Sequence, residues 1–96
     1  SDARLKNTID YDMADMEEVF CNLKPCSYYM NSDPAHKHYG LIAQDVVEAF
    51  GTDEGIALIA KSEDGTYGLA YSELIAVNTH MIQKLMKRVE ALEGRE

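Results

Sequence analysis

Ser72-Glu73-Leu74-Ile75-Ala76-Val77-Asn78-Thr79-His80-Met81-Ile82-Gln83-Lys84-Leu85-Met86-Lys87-Arg88-Val89-Glu90-Ala91-Leu92-Glu93 contains neither glycine nor proline. It predicts one long helix, with Ser72 placed to cap its first turn. Two apolar stripes run along it. Leu74, Val77 and Met81 make the first, which stops half-way. In the second, Ile75, Ile82 and Val89 fall seven apart, and Asn78, Leu85 and Leu92 lie three later, an a/d register. The first half is therefore expected to dock on its own domain, and the second to project towards other copies of the chain. The competing expectation is a plain amphipathic helix docked along its whole length. In an isolated parallel coiled coil, β-branched a positions with Leu at d favour two strands, so the register alone does not select a trimer.

Upstream of this helix the elements are short. After Ser1–Ile9, residues Met13, Met16, Phe20 and Leu23 recur at helical spacing. Asp12, Asp15, Glu17 and Glu18 lie on the other side; Asp10 or Asp12 is suited to cap this helix, and Pro25 stops it. Ser27–Met30 reads as a Tyr-rich strand ended by the turn Asn31-Ser32-Asp33-Pro34, and His38–Ala43 as a second strand. Gln44–Phe50 reads as a brief helix with Val46, Val47 and Phe50 inward and Gly51 as its stop. Ile56–Ala60 and Thr66–Ala70 flank Ser62-Glu63-Asp64-Gly65, a hairpin signal in which Gly65 supplies the positive φ. The predicted class is α+β: a small antiparallel sheet, short packing helices and the long C-terminal helix. One domain is expected over residues 1–96, as a body of residues 1–70 and an oligomerisation helix of residues 71–96.

Ninety-six residues bury only a modest core, and chains of this size often gain stability by association. The net charge is −8, with acids concentrated in Asp10–Glu18 and Asp45–Glu63. That argues against nucleic acid, whose phosphates require clustered cations. The clustered bases Lys84, Lys87 and Arg88 sit near a helix end, where they complement its dipole. No apolar run reaches membrane-spanning length, so no membrane partner is expected. Cys21 and Cys26 have neither zinc-ligand nor disulfide-framework spacing and read as reduced thiols. His36 and His38 form an H-x-H without further ligands nearby, so no metal or cofactor is expected.

The N-terminal stretch Ser1-Asp2-Ala3-Arg4-Leu5-Lys6 places a hydroxyl nucleophile five residues before an amine base. Serine with lysine is a minimal pair for acyl chemistry, in which a neutral amine takes the hydroxyl proton. A chain that starts at its own nucleophile reads as the product of a cut just before Ser1. No Gly-x-Ser-x-Gly elbow or phosphate loop supports a conventional hydrolase.

Four segments together resemble one family. They are Ser1 to Lys6, Leu23-Lys24-Pro25-Cys26-Ser27-Tyr28, His38-Tyr39-Gly40-Leu41-Ile42-Ala43-Gln44-Asp45-Val46, and Tyr71-Ser72-Glu73-Leu74-Ile75 with Ile82-Gln83 and Val89 to Glu93. In this order they look like the intramolecular chaperone auto-processing domain, peptidase family S74, of bacteriophage tail spikes, tail fibres, endosialidases and neck appendages. The resemblance implies a homotrimer that helps an upstream fibre or spike polypeptide fold, in the host cytoplasm during virion assembly. It then implies release by cleavage before Ser1, with Ser1 as nucleophile, Lys6 as general base and His38 as a supporting residue. Ile75, Asn78, Ile82, Leu85, Val89 and Leu92 would line the trimer seam. One departure is visible: Asn7-Thr8-Ile9 follows the lysine directly, where the family commonly has one more residue before an Asn-Ile pair. The alternative is a trimerisation module that stays attached without cutting and only sets the register of the fibre.

Overall fold

The Tyr-rich segment forms strand β1 (Cys26–Met30), antiparallel to β2 (Asp33–Gly40) in a computed structural model that describes residues 1–95. Ser27 lies opposite Tyr39 and Tyr28 opposite His38. β2 starts at Asp33, not at His38 as the sequence reading has it. The reason is an irregularity in the pairing: the partner of Tyr29 is Lys37, but that of Met30 is Asp33. Pro34 falls in the stretch between, where its missing N–H costs no ladder bond. β2 also stops at Gly40 rather than Ala43. The Leu41 N–H donates to the Tyr71 phenol oxygen (3.0 Å), and that phenol donates back to the Leu41 carbonyl (3.2 Å). With both groups taken, the ladder has nothing left to continue on.

Helix α1 (Ala14–Cys21) precedes this hairpin. Met13, without a side-chain cap bond, holds the cap position, so neither Asp10 nor Asp12 caps α1 as expected; Asp12, one residue further out, accepts from the Ala14 amide at 3.0 Å. Helix α2 (Ala43–Phe50) follows, and Gly51 ends it in the left-handed conformation at φ 75°. Its N–H then reaches the Val47 carbonyl at 2.8 Å. Strands β3 (Ile59–Lys61) and β4 (Tyr67–Leu69) form the second hairpin, with Gly65 at φ 88° in its turn. The expected antiparallel pairing is present, but it is divided into two two-stranded sheets. The architecture is α+β.

Helix α3 (Leu74–Glu93) begins through a 3-10 turn at Tyr71–Glu73. Ser72 therefore lies inside that turn, and no side-chain cap bonds the start of α3. The first stripe is inward: Val77 is buried, and Leu74 and Met81 are half-buried. Beyond Met81 every described residue is exposed, including Ile82, Leu85, Val89 and Leu92. Among the described residues, no helix is long and apolar enough to cross a membrane.

The core is Val46, Leu58 and Ile59, sheathed by Leu23, Leu41, Phe50 and Leu74 among others. It is small for the surface it must support. The accessible area is 7868 Å², against about 5,500 Å² for a compact monomer of this mass. The radius of gyration is 16.8 Å, against about 12.5 Å for a compact chain of this length.

The Tyr71 clamp explains one glycine. A Cβ added at Gly40 would lie 2.6 Å from the Tyr71 hydroxyl oxygen, so any side chain there displaces the phenol from Leu41. Gly40→Ala is expected to cost roughly 1–3 kcal/mol of stability. In a Tyr71→Phe background, which lacks the colliding oxygen, the added cost should be clearly smaller. A double-mutant cycle from urea unfolding checks this, and strict additivity would refute the clamp.

Candidate functional site: the Ser1–Lys6 turn and the His38 hairpin

Asp2 organises the first six residues. Its carboxylate accepts from the Arg4 amide at 2.8 Å, an Asx turn that starts a 3-10 turn over Ala3–Leu5. The Arg4 guanidinium returns to the same carboxylate through Nε (3.1 Å) and Nη2 (2.8 Å). That fork holds the Asp2 carboxyl below its ordinary value and raises Arg4. Backbone bonds from Leu5 to Asp2 and from Lys6 to Ala3, both 3.1 Å, close the turn. Residue 6 is thereby carried back over residue 1. The Lys6 Nζ donates to the Ser1 Oγ at 3.1 Å. Nucleophile and amine are thus in hydrogen-bond contact, through a fold entirely local in sequence. Asp2 and Arg4 were not singled out from the sequence, although an Asp two residues before the turn's amide is the ordinary mark of an Asx turn.

His38 is elsewhere. It sits in β2 with its ring stacked on Tyr28, the centroids 5.4 Å apart and the planes 14° from parallel. Its Nε2 is buried and, among the described residues, has no hydrogen-bond partner. Among the described residues, the turn at Ala3–Leu5 packs against no other element, and residues 1–12 are exposed throughout. The structure therefore joins Ser1 to Lys6 and leaves His38 apart from them within one chain. His36 has a different occupation: its Nδ1 meets the Asp33 carboxylate at 2.8 Å on the surface.

The third histidine went unremarked in the sequence. His80 of α3 meets Glu17 of α1 at 2.8 Å, and Lys84, one turn on, holds the other oxygen of the same carboxylate. Only the tertiary pairing of α1 with α3 reveals this cluster; three residues in two distant segments carry no local motif. Lys84, and after it His80, hold the Glu17 carboxyl below its ordinary value. Cys21 and Cys26 are free thiols, the first exposed and the second half-buried. Among the described residues, no three His, Cys, Asp or Glu side chains converge as metal ligands would.

A family model described as "Chaperone of endosialidase", peptidase S74, matches residues 1–55, more than half of the chain. The chain belongs to peptidase family S74. No curated protein and no solved structure gives a match. The matched residues carry the Ser1–Lys6 turn, the His38 hairpin and α2, and they end before β3; α3 lies beyond them. Membership in S74 supports a chaperone role and suggests a peptidase.

The Glu17 cluster generates a pH prediction. A carboxyl lowered in the folded state adds stability that is fully present above its unfolded value and is lost as pH falls through the folded value. Glu17→Gln should therefore lower the melting temperature at pH 7. The difference from wild type should shrink as the pH is taken down through the carboxylate range. Thermal melts from pH 7 to pH 2.5 measure it; a difference that does not change with pH would show that Glu17 charge does not hold α1 to α3.

Proposed function

We propose that the chain is an intramolecular chaperone of a bacteriophage fibre, spike or appendage, acting as a trimer and releasing itself by cutting the bond before Ser1. The observation that carries this reading is the 3.1 Å contact from Lys6 Nζ to Ser1 Oγ in a chain of the S74 family. The polypeptide upstream is both folding client and substrate. Lys6 takes the proton from the Ser1 hydroxyl as Oγ attacks the carbonyl of the preceding residue. The C–N bond breaks, the proton passes to the departing Ser1 amine, and the acyl group is left as an ester on Oγ. Water then hydrolyses the ester, freeing the client with a C-terminal carboxylate and regenerating the serine. Because the substrate is the chain itself, each copy acts once.

Two features support a link between assembly and cutting. Ile75, Ile82, Leu85, Val89 and Leu92 are all more than half exposed on α3, in the a/d register with Asn78. Their burial between copies would remove much of the excess apolar surface. Lys6 is exposed in the single chain, and a base amine works better where its charge is disfavoured by desolvation, which neighbouring copies can supply. His38 is assigned the supporting role, donating to or orienting the scissile carbonyl from a site assembled with the other copies.

In a precursor with its upstream polypeptide, Ser1→Ala should abolish cleavage and leave assembly intact. Lys6→Arg should be nearly as damaging, since a guanidinium does not deprotonate in proteins. Gels of the cut product over time report both, and normal cutting by either variant would eliminate the dyad.

Assembly is tested separately. Asp placed at both Leu85 and Leu92 would bury unpaired carboxylates in the seam, each costing several kcal/mol if desolvated. This precursor should sediment as a monomer and remain uncut, although Ser1 and Lys6 are untouched. A monomer that cleaves at the wild-type rate would show that each subunit carries a complete site.

A further inference from the structure

An apolar groove of about 1010 Å³ opens between α1, the first hairpin and α3, lined by Phe20, Leu23, Pro25, Leu41, Leu74 and Met81. Among the described residues, no side chain closes it. Asn78, one of the residues assigned to the seam, also lines it, so the groove runs directly into the face where other copies pack. Cys21 and Met81 line in addition an adjoining hollow that holds Lys84 and Arg88. Lys84 is engaged by Glu17, whereas Arg88 pairs with none of the described carboxylates.

The N-terminal segment has the complementary features. Leu5 is 84%, Ile9 56% and Tyr11 91% exposed, and the acids Asp10 and Asp12 flank Tyr11. Thr8 adopts φ 52°, a left-handed backbone that β-branched residues rarely take. Such strain persists where surroundings hold it. Here, among the described residues, the only side-chain bond at Thr8 is to its neighbour Asn7. The Asp12 amide bonds to Asp10 and the Ala14 amide to Asp12. These two turns fix how the segment leaves α1, and residues 1–12 are exposed throughout its course.

We infer that residues 1–12 of one copy dock in the groove of a second copy, with Leu5, Ile9 and Tyr11 against its apolar wall and Asp10 or Asp12 towards Arg88. The inference rests on the assembly reading above and adds to it the surface that receives the segment. It also gives the Ser1–Lys6 pair a seat beside Tyr39 and Gly40 of the second copy, which line the groove and follow His38 in β2. A chain that cuts only when seated there cuts only after assembly.

Cys26 lines the groove and provides the probe. In a Cys21→Ser background, Leu5→Cys, Ile9→Cys and Tyr11→Cys are made one at a time. Each is mixed as isotopically labelled and unlabelled chains, dissociated, reassembled and oxidised with glutathione disulfide. At least one position should form a disulfide to Cys26 that joins a labelled to an unlabelled chain by peptide mass mapping. Adding Leu41→Arg, which blocks the groove wall, should remove that bridge while sedimentation still shows an oligomer. Bridges only within chains, or none at any of the three positions in a sample that sediments as an oligomer, would overturn the docking and leave the assembly reading standing. A sample that sediments as a monomer throughout would overturn both.

Discussion

The shortage of interior is the constraint on which the rest of this structure depends. Among the described residues four hydrophobic side chains, Val46, Leu58, Ile59 and Val77, are buried, and of these Val46 alone is fully buried, while the chain exposes roughly 2,300 Å² more surface than a compact monomer of its mass would. A standard protein interface removes about 800 Å² from each partner, so the excess is of the size that association with more than one neighbour would cover. The excess is not spread evenly. Exposed large apolar side chains gather on α3 and on the N-terminal segment, with Tyr29, Met30 and Tyr39 of the first hairpin adding to them. The helix and the segment both carry large apolar side chains at regular or near-regular spacing, the pattern of surfaces awaiting partners rather than of solvated loops.

The proposed catalytic pair obeys a different logic. Its geometry needs none of the core, because the Asp2–Arg4 fork and a single 3-10 turn bring Lys6 to Ser1 within six residues. The Ser1–Lys6 contact can therefore form locally, without the rest of the fold. What the single chain does not supply is a dry environment for Lys6 or a contact from His38, the proposed supporting residue. His38 is held against Tyr28 in a hairpin that the N-terminal turn does not reach. Under the proposed function, separating the pair from its setting is a physical way to delay a reaction that can happen only once.

Much of this was legible in the sequence where local chemistry decides the outcome. Gly51 and Gly65 take the left-handed backbone their positions called for, and Val46 is the most deeply buried side chain of α2. The division of α3 into a docked and a projecting half follows from the stripe that stops at Met81. The misplacements arise where distant residues intervene. The end of β2 depends on Tyr71, thirty residues downstream, and the role of Ser72 is lost to the 3-10 turn that positions the same Tyr71. The Glu17–His80–Lys84 cluster was unreadable for the same reason, since only the packing of α1 on α3 brings it together. At the candidate site, Ser1, Lys6 and His38 were picked out by residue type and family resemblance. Their division into a joined pair and a separate histidine is a property of the fold.

The most direct test is native mass spectrometry of the wild-type precursor, sampled from the start of folding and compared with denatured samples taken at the same times. The account predicts that a trimer of uncut chains appears first. It is followed by the client polypeptide and a C-terminal fragment whose mass begins at Ser1. Fragment arising from monomers before any trimer is present, or a trimer whose chains stay uncut, would contradict it.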